Sequence, residues 1–294
     1  MPLFSGVIYV VGAMLLKRAG DLGVDVWRTV RACNYAMAML AVPLLFLGGT
    51  FPPVTEWWQP AATACLFFLA QILSLLALKI GDVSVATPVL GVKIPLVALF
   101  TTLLLGQHIS AGLWTAVILS SLAIALLNFS PSQPHHRVGA TVLFASLAAM
   151  GYALFDVLVQ KWAQTWSLGR FLPIVMGFVA LYSLFLRPDL LQERPVRKLP
   201  GPHSDRWLIA GAICLSFQAS VFVFCVAFFQ QATVSNVMYS SRGLWSVLAV
   251  SWIGHWFDNR ERHHSASVMG WRLAGAAFMM TAIFMVFLSK TKGL

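Results

Sequence analysis

Residues 83–105 read VSVATPVLGVKIPLVALFTTLLL, 23 consecutive positions whose only charged side chain, Lys93, stands at the centre. About 20 apolar residues are what one α-helix needs to cross the hydrocarbon of a bilayer. Lys93 lies about ten residues from either end, too deep for its stem to carry the ammonium back to an interface. The stretch is expected to be a membrane-spanning helix with a cation at its middle.

Runs of the same kind fill the rest of the chain, at 3–20, 27–48, 60–80, 112–129, 138–161, 169–187, 207–230, 233–254 and 268–289. Of the 294 residues 59% are apolar and 10% are charged, whereas a soluble domain carries about a quarter charged. Runs this long exclude barrel strands, and an open sheet edge in lipid would leave backbone groups without partners. The expected fold is therefore an all-α membrane protein of ten transmembrane helices. No Lys or Arg precedes the first run, and Lys17 and Arg18 follow it, so a retained helix is expected there and not a cleaved signal.

Turn chemistry separates the runs at Gly48 to Pro53, Ser130 to Pro134 and Pro195 to Pro202. The middle break leaves five runs on each side, and an odd number per half places two similar halves in opposite orientations. This predicts two inverted five-helix repeats, 1–130 and 138–294, joined by a linker at 131–137. Aligning the fourth and ninth runs at a constant offset of 149 lays Ser84 to Pro95 over Thr233 to Leu244 and sets Lys93 on Arg242.

Arg242 is as central in its run as Lys93 is in the fourth. Placing such a cation at a helix centre costs about 2.5–3.5 kcal/mol on insertion scales, so each needs a counter-charge, water or a ligand. Ser235, Tyr239, Arg242 and Ser246 recur at helical spacing and predict one polar face, with Asn236 beside it and Gln230 and Gln231 ahead of it. Gln71 and Ser74 lie one turn apart in the third run. Ser146, Ala149, Ala153, Asp156 and Gln160 form a stripe in the sixth, and Gly6, Tyr9, Ala13 and Lys17 form one in the first. Pro88 and Pro95 flank Gly91 and predict a kink beside Lys93.

Three readings of the two cations follow. They bind an anionic substrate group, Arg242 as a bidentate fork and Lys93 as a point charge; or Asp156, the acid well inside a run, neutralises one or both and locks helices together; or they face a water-filled vestibule. Asp156 has Lys161 and Lys17 as further candidate partners, or carries a coupling proton. On the first reading the substrate-binding set is Lys93, Arg242, Tyr239, Ser235, Ser246, Asn236, Gln71, Ser74 and Tyr9, with Asp156 and Lys17 as coupling or charge partners.

Other residues carry blander readings. The net charge of +10 sits in short loops between runs, which suits lipid headgroups and gives no nucleic-acid stripe. Cys33, Cys65, Cys214 and Cys225 lie inside runs as packing residues. The pairs His135–His136 and His263–His264 lack companion ligands at metal-site spacing. No cofactor and no metal is expected. Small residues, Ser121 with Ala125 and Gly270 with Ala274, permit close approach of the fifth and tenth helices; internal packing is one use of that face and a homodimer contact is the other.

The run Gly81-Asp82-Val83-Ser84-Val85-Ala86-Thr87-Pro88, followed by Lys93-Ile94-Pro95 and Leu105-Gly106-Gln107, resembles the drug/metabolite transporter superfamily in its ten-helix EamA-like branch. So do a first helix leading to Lys17 and an arginine, Arg28 or Arg31, opening the second run. The resemblance covers nearly the whole chain. It implies inverted repeats around a central cavity lined by helices one, three, four, six, eight and nine. Members that carry phosphorylated sugars or nucleotide sugars use basic residues on helices similar in position to the fourth and ninth, which implies Lys93 and Arg242. Many EamA-like exporters instead move amino acids or drug-like metabolites. The chain departs from the pattern at Gln107, where the family has an acid, and in the loop after the second helix, which holds Glu56 and no basic residue.

Charge and resemblance disagree on orientation. Fourteen Lys and Arg, from Lys17 to Arg272, flank the ends of odd-numbered runs, against Lys161, Arg170, Lys290 and Lys292 on the other side. By the positive-inside rule both termini lie outside the cytoplasm; the resemblance implies that they lie inside. The expected location is a bacterial inner (plasma) membrane. The expected function is secondary transport of a small polar, anionic metabolite by alternating access. A membrane-embedded enzyme is opposed by the lack of paired acids, a nucleophile elbow or a phosphate loop. A passive channel remains the other class.

Overall fold

The computed structural model describes residues 1–49, 51–80, 83–128, 137–186, 203–253 and 266–291. All of the 131–137 linker except Arg137, the two histidine pairs and the Gly81–Asp82 pair fall outside them. Each of the ten apolar runs is helical, and no strand occurs among the described residues. In chain order the helices are α1 (Pro2–Asp21), α2 (Val26–Ala41), α3 (Trp58–Ile80), α4 (Val83–Gly91), α5 (Lys93–Leu105), α6 (Ala111–Leu127), α7 (Val138–Trp162), α8 (Leu168–Leu184), α9 (Ser204–Phe229), α10 (Ala232–Tyr239), α11 (Arg242–Ile253) and α12 (Ala266–Thr291). A 3₁₀ segment, Val42–Leu47, extends α2, because Pro43 has no N–H to continue the α ladder.

Seven of these segments are long and apolar enough to cross a membrane, counting α4 with α5 as one, and this is compatible with an integral multi-pass membrane protein. The shorter apolar helices α6 and α8 have 17 residues each, at the lower limit for a span. In the most apolar stretches of α7 and α9, 44% of residues are buried, against 22–28% in the other long helices, so these two form the centre of the bundle.

Helix ends are set by local chemistry. Ser110 caps α6 by accepting from the Leu113 N–H. Gly106, at φ +65°, ends α5 in the left-handed conformation that costs glycine nothing. Gln230 adopts the same conformation at φ +54° and reverses the chain between α9 and α10.

The fourth and ninth runs are each broken near the middle. Pro95 has no N–H for the carbonyl of Gly91, and the chain turns at Val92 before α5 begins on Lys93. The ninth run breaks without a proline: Ser241 N bonds Met238 O, Gly243 N bonds Ser240 O, and the tightened turn separates α10 from α11. The second half of each run thus starts on its cation. The expected continuous face of Ser235, Tyr239, Arg242 and Ser246 does not form across this break; Ser235 is buried on α10 and Ser246 is exposed on α11.

Packing is paired between the two ends of the chain. α3 lies along α7 as α1 lies along α9; α2 meets α9 as α8 meets α3; α6 lies along α12, and α5 meets α10. Small residues make the closest approaches. A Cβ on Gly151 would stand 2.9 Å from the Ala70 Cβ, and one on Gly211 would stand 3.0 Å from the Leu16 backbone N. The α6–α12 contact rests on Gly275, whose added Cβ would meet Ala123 O at 3.0 Å, whereas Gly270 faces open space. The close approach anticipated for these helices occurs at Gly275, next to Ala274, and lies inside the fold.

Candidate functional site

Lys93 opens α5 where its side chain points at α7, and its Nζ lies 2.8 Å from Asp156 Oδ2. The lysine side chain retains 21% exposure while the aspartate retains 2%, so the carboxylate is the more deeply enclosed of the two. Asn236, on α10, donates from Nδ2 to the same Oδ2 at 2.7 Å and to Ala232 O at 3.0 Å. One buried carboxylate therefore ties the fourth, sixth and ninth runs together. The Lys93 ammonium also packs over the rings of Tyr152, at 5.7 Å, and Phe222, at 5.3 Å.

Arg242 opens α11 in different surroundings. Its guanidinium lies 4.7 Å from the ring centroids of both Tyr9 and Tyr239, and its Nη1 donates to the Tyr239 hydroxyl at 3.2 Å. Among the described residues no carboxylate lies within ion-pair distance of it. α1 is pressed against the chain break here, since a Cβ on Gly6 would stand 3.3 Å from both Arg242 N and Ser241 Oγ. Ser241 is fully buried and its hydroxyl has no hydrogen-bond partner. Buried polar groups without partners are uncommon and call for an explanation.

The two cations share one aromatic wall. Phe222, under Lys93, is 4.7 Å from Tyr239, under Arg242, and Tyr239 meets Tyr9 edge-on at 6.3 Å. Tyr152 shares a hydrogen bond of 3.3 Å with Ser74 on α3. Ser5, on α1, donates to the carbonyl and side-chain oxygens of Gln218 on α9, at 2.8 and 3.1 Å. The cluster thus draws on the first, third, fourth, sixth, eighth and ninth runs.

Not every expected residue reaches it. Gln71 turns away into a two-way amide contact with Asn34 of α2, at 2.9 and 3.2 Å, and Asn34 also donates to Ser183 of α8 at 2.8 Å. Lys17, Lys161, Ser146 and Ser246 are exposed. Gln160 ends the sixth-run stripe as a clamp: it donates to Gln107 Oε1 at 2.9 Å and to Gln230 O at 2.7 Å, and accepts from Ala232 N at 2.8 Å. It thereby satisfies the backbone groups freed where α9 reverses into α10.

Tyr152, Phe222, Gln218 and Ser241 are absent from the expected set. Tyr152 precedes Asp156 by one helical turn, and Gln218 is a polar residue deep in an apolar run, so both carried a readable signal. Phe222 carried none, because one phenylalanine among many in apolar runs is indistinguishable until its neighbours are known.

No protein-family model matches the chain, and no curated protein matches it. In three dimensions it is similar to a solved structure described only as "Crystal structure of protein", with a TM-score of 0.66 and 14% identity over 98% of this chain and 97% of that one. At that identity the likeness concerns the fold.

Proposed function

We propose that the protein is a secondary transporter of a small anionic metabolite, working by alternating access between two inverted five-helix repeats, with Arg242 as the residue that receives the anion. The carrying observation is Arg242 itself, a central guanidinium framed by Tyr9 and Tyr239 with no carboxylate in reach among the described residues. The unpartnered Ser241 hydroxyl next to Arg242 is buried against Gly6 of α1. Lys93, held by Asp156, lies over the same Phe222 ring that packs on Tyr239.

Three features support the transporter class. The fourth and ninth runs are discontinuous at matching places, as in carriers whose sites sit where helices are interrupted. Packing partners interchange when each run is replaced by the one five places along, which suits two repeats. The resemblance to ten-helix drug/metabolite transporters points the same way. A carrier of amino acids or drug-like metabolites is the second reading, favoured by the aromatic lining of Tyr9, Tyr152, Phe222 and Tyr239.

The test is reconstitution. A carrier gives a saturable flux into proteoliposomes that counter-solute on the far side stimulates, and small carboxylates or phosphates raise the thermal stability of the wild type but not of Arg242→Gln. Non-saturable flux would indicate a channel. Equal stabilisation of wild type and variant would reject Arg242 as the anion's partner.

A further inference from the structure

The charge of the site specifies the charge of what it accepts. Lys93 and Arg242 bring two positive charges and Asp156 brings one negative charge, which leaves one positive charge unmatched among the described residues. Asp156 is not free to move aside for a ligand: it is 2% exposed, and one oxygen is held by Lys93 at 2.8 Å and by Asn236 at 2.7 Å. An unmatched formal charge shielded from water is costly, so a ligand that restores neutrality is favoured over one that overshoots it. A singly charged anion restores neutrality. A doubly charged one leaves a net negative charge between apolar walls.

The walls limit the rest of the ligand. Tyr9, Tyr152, Phe222 and Tyr239 present ring surfaces around the cations, and the hydroxyls of Tyr152 and Tyr239 are already bonded to Ser74 and Arg242. Ring faces stabilise apolar surface by contact, and tyrosine hydroxyls already engaged leave a polar body few partners, which an apolar one does not need. Resting on the anion-site reading above, we infer that the substrate is a singly charged carboxylate with an apolar body. Asp156 is the residue that fixes this valence, by cancelling Lys93.

The experiment uses the full chain, purified in detergent, and reads thermal stabilisation by butyrate, benzoate and succinate at a pH where all are fully ionised. Butyrate and succinate have the same carbon count and differ in charge. The wild type and Asp156→Glu are expected to respond to butyrate and benzoate at concentrations at least about tenfold below those needed for succinate. Asp156→Asn leaves two positive charges and is expected to reverse the order, with succinate preferred. A purely structural role for Asp156 would lower stability without reversing it.

Should Asp156→Asn fail to fold, the double variant Lys93→Met/Asp156→Leu keeps the single net charge on Arg242 and is expected to retain the wild-type order. Succinate acting on the wild type as well as butyrate does, an unreversed order in Asp156→Asn, or a double variant that accepts both anions equally would each overturn the inference while leaving an anion carrier intact. If none of the three anions nor inorganic phosphate stabilises the wild type, the anion-site reading itself fails and the inference falls with it.

Discussion

Lys93 and Arg242 are near-equivalent in the sequence, each a lone cation halfway along an apolar run, and the structure gives them different partners. Lys93 is half of an ion pair with Asp156, whereas Arg242 rests between two tyrosine faces. Removing one member of a buried pair leaves the other charge uncompensated, at a cost of about 3–5 kcal/mol, while replacing both by apolar residues of similar volume is close to neutral. Asp156→Ala is therefore expected to lower the unfolding temperature in detergent markedly, and Lys93→Met/Asp156→Leu to restore most of the loss. A double variant as unstable as the single one would show that the contact with Asn236, and not the ion pair, holds Asp156 in place. Arg242→Lys keeps the charge but loses the planar group that stacks on Tyr9 and Tyr239 and forks toward a carboxylate. Anion-dependent stabilisation in this variant is expected to weaken by about tenfold, roughly the worth of one charge-assisted hydrogen bond; an undiminished response would mean that charge alone suffices.

At the scale of elements, the fourth and ninth runs reach the same shape by different chemistry. Pro95 breaks the fourth by withholding a donor from Gly91 O, and the ninth is broken by two tightened turns around Ser240, whose hydroxyl donates to Val237 O at 2.6 Å. Pro95→Ala supplies the missing N–H and is expected to straighten the run, raise stability by about 1 kcal/mol and slow counterflow in proteoliposomes. An unchanged counterflow rate with raised stability would separate the break from transport. The ninth run offers no such single substitution, since no one residue withholds its hydrogen bond.

For the whole molecule, the packing of the bundle does not distinguish the two orientations, and the charges outside it supply a prediction. By the positive-inside rule the count of fourteen basic residues against four predicts the ends of the odd-numbered runs in the cytoplasm and the termini outside, whereas the resemblance implies the reverse. A cysteine introduced at the C-terminus is thus expected to react with a membrane-impermeant thiol reagent in intact cells; protection until the cells are permeabilised would favour the orientation that the resemblance implies. The bundle fits either answer, because its paired contacts, α3 on α7 and α1 on α9, α2 on α9 and α8 on α3, persist when the two ends of the chain exchange roles.

The ten helical runs, their bounds to within a few residues, and the two central cations were legible in the sequence, because lipid imposes a length and a polarity that a run of residues carries by itself. The kink beside Lys93 was legible for the same local reason, a proline that cannot donate. Which cation Asp156 neutralises was not, since Lys93 and Asp156 are brought to 2.8 Å by the packing of α5 against α7 and by nothing near either residue in the chain. The break in the ninth run was also hidden, for serines and a glycine allow a continuous helix as readily as a turn, and α1 packs against it at Gly6, far away in the chain. Gln71 shows the same division: its polarity within an apolar run was plain, but only the position of α2 turned it toward Asn34 and away from the cations. Local solvation fixes what each segment must be, and the choice among its possible partners belongs to contacts between segments far apart in the chain.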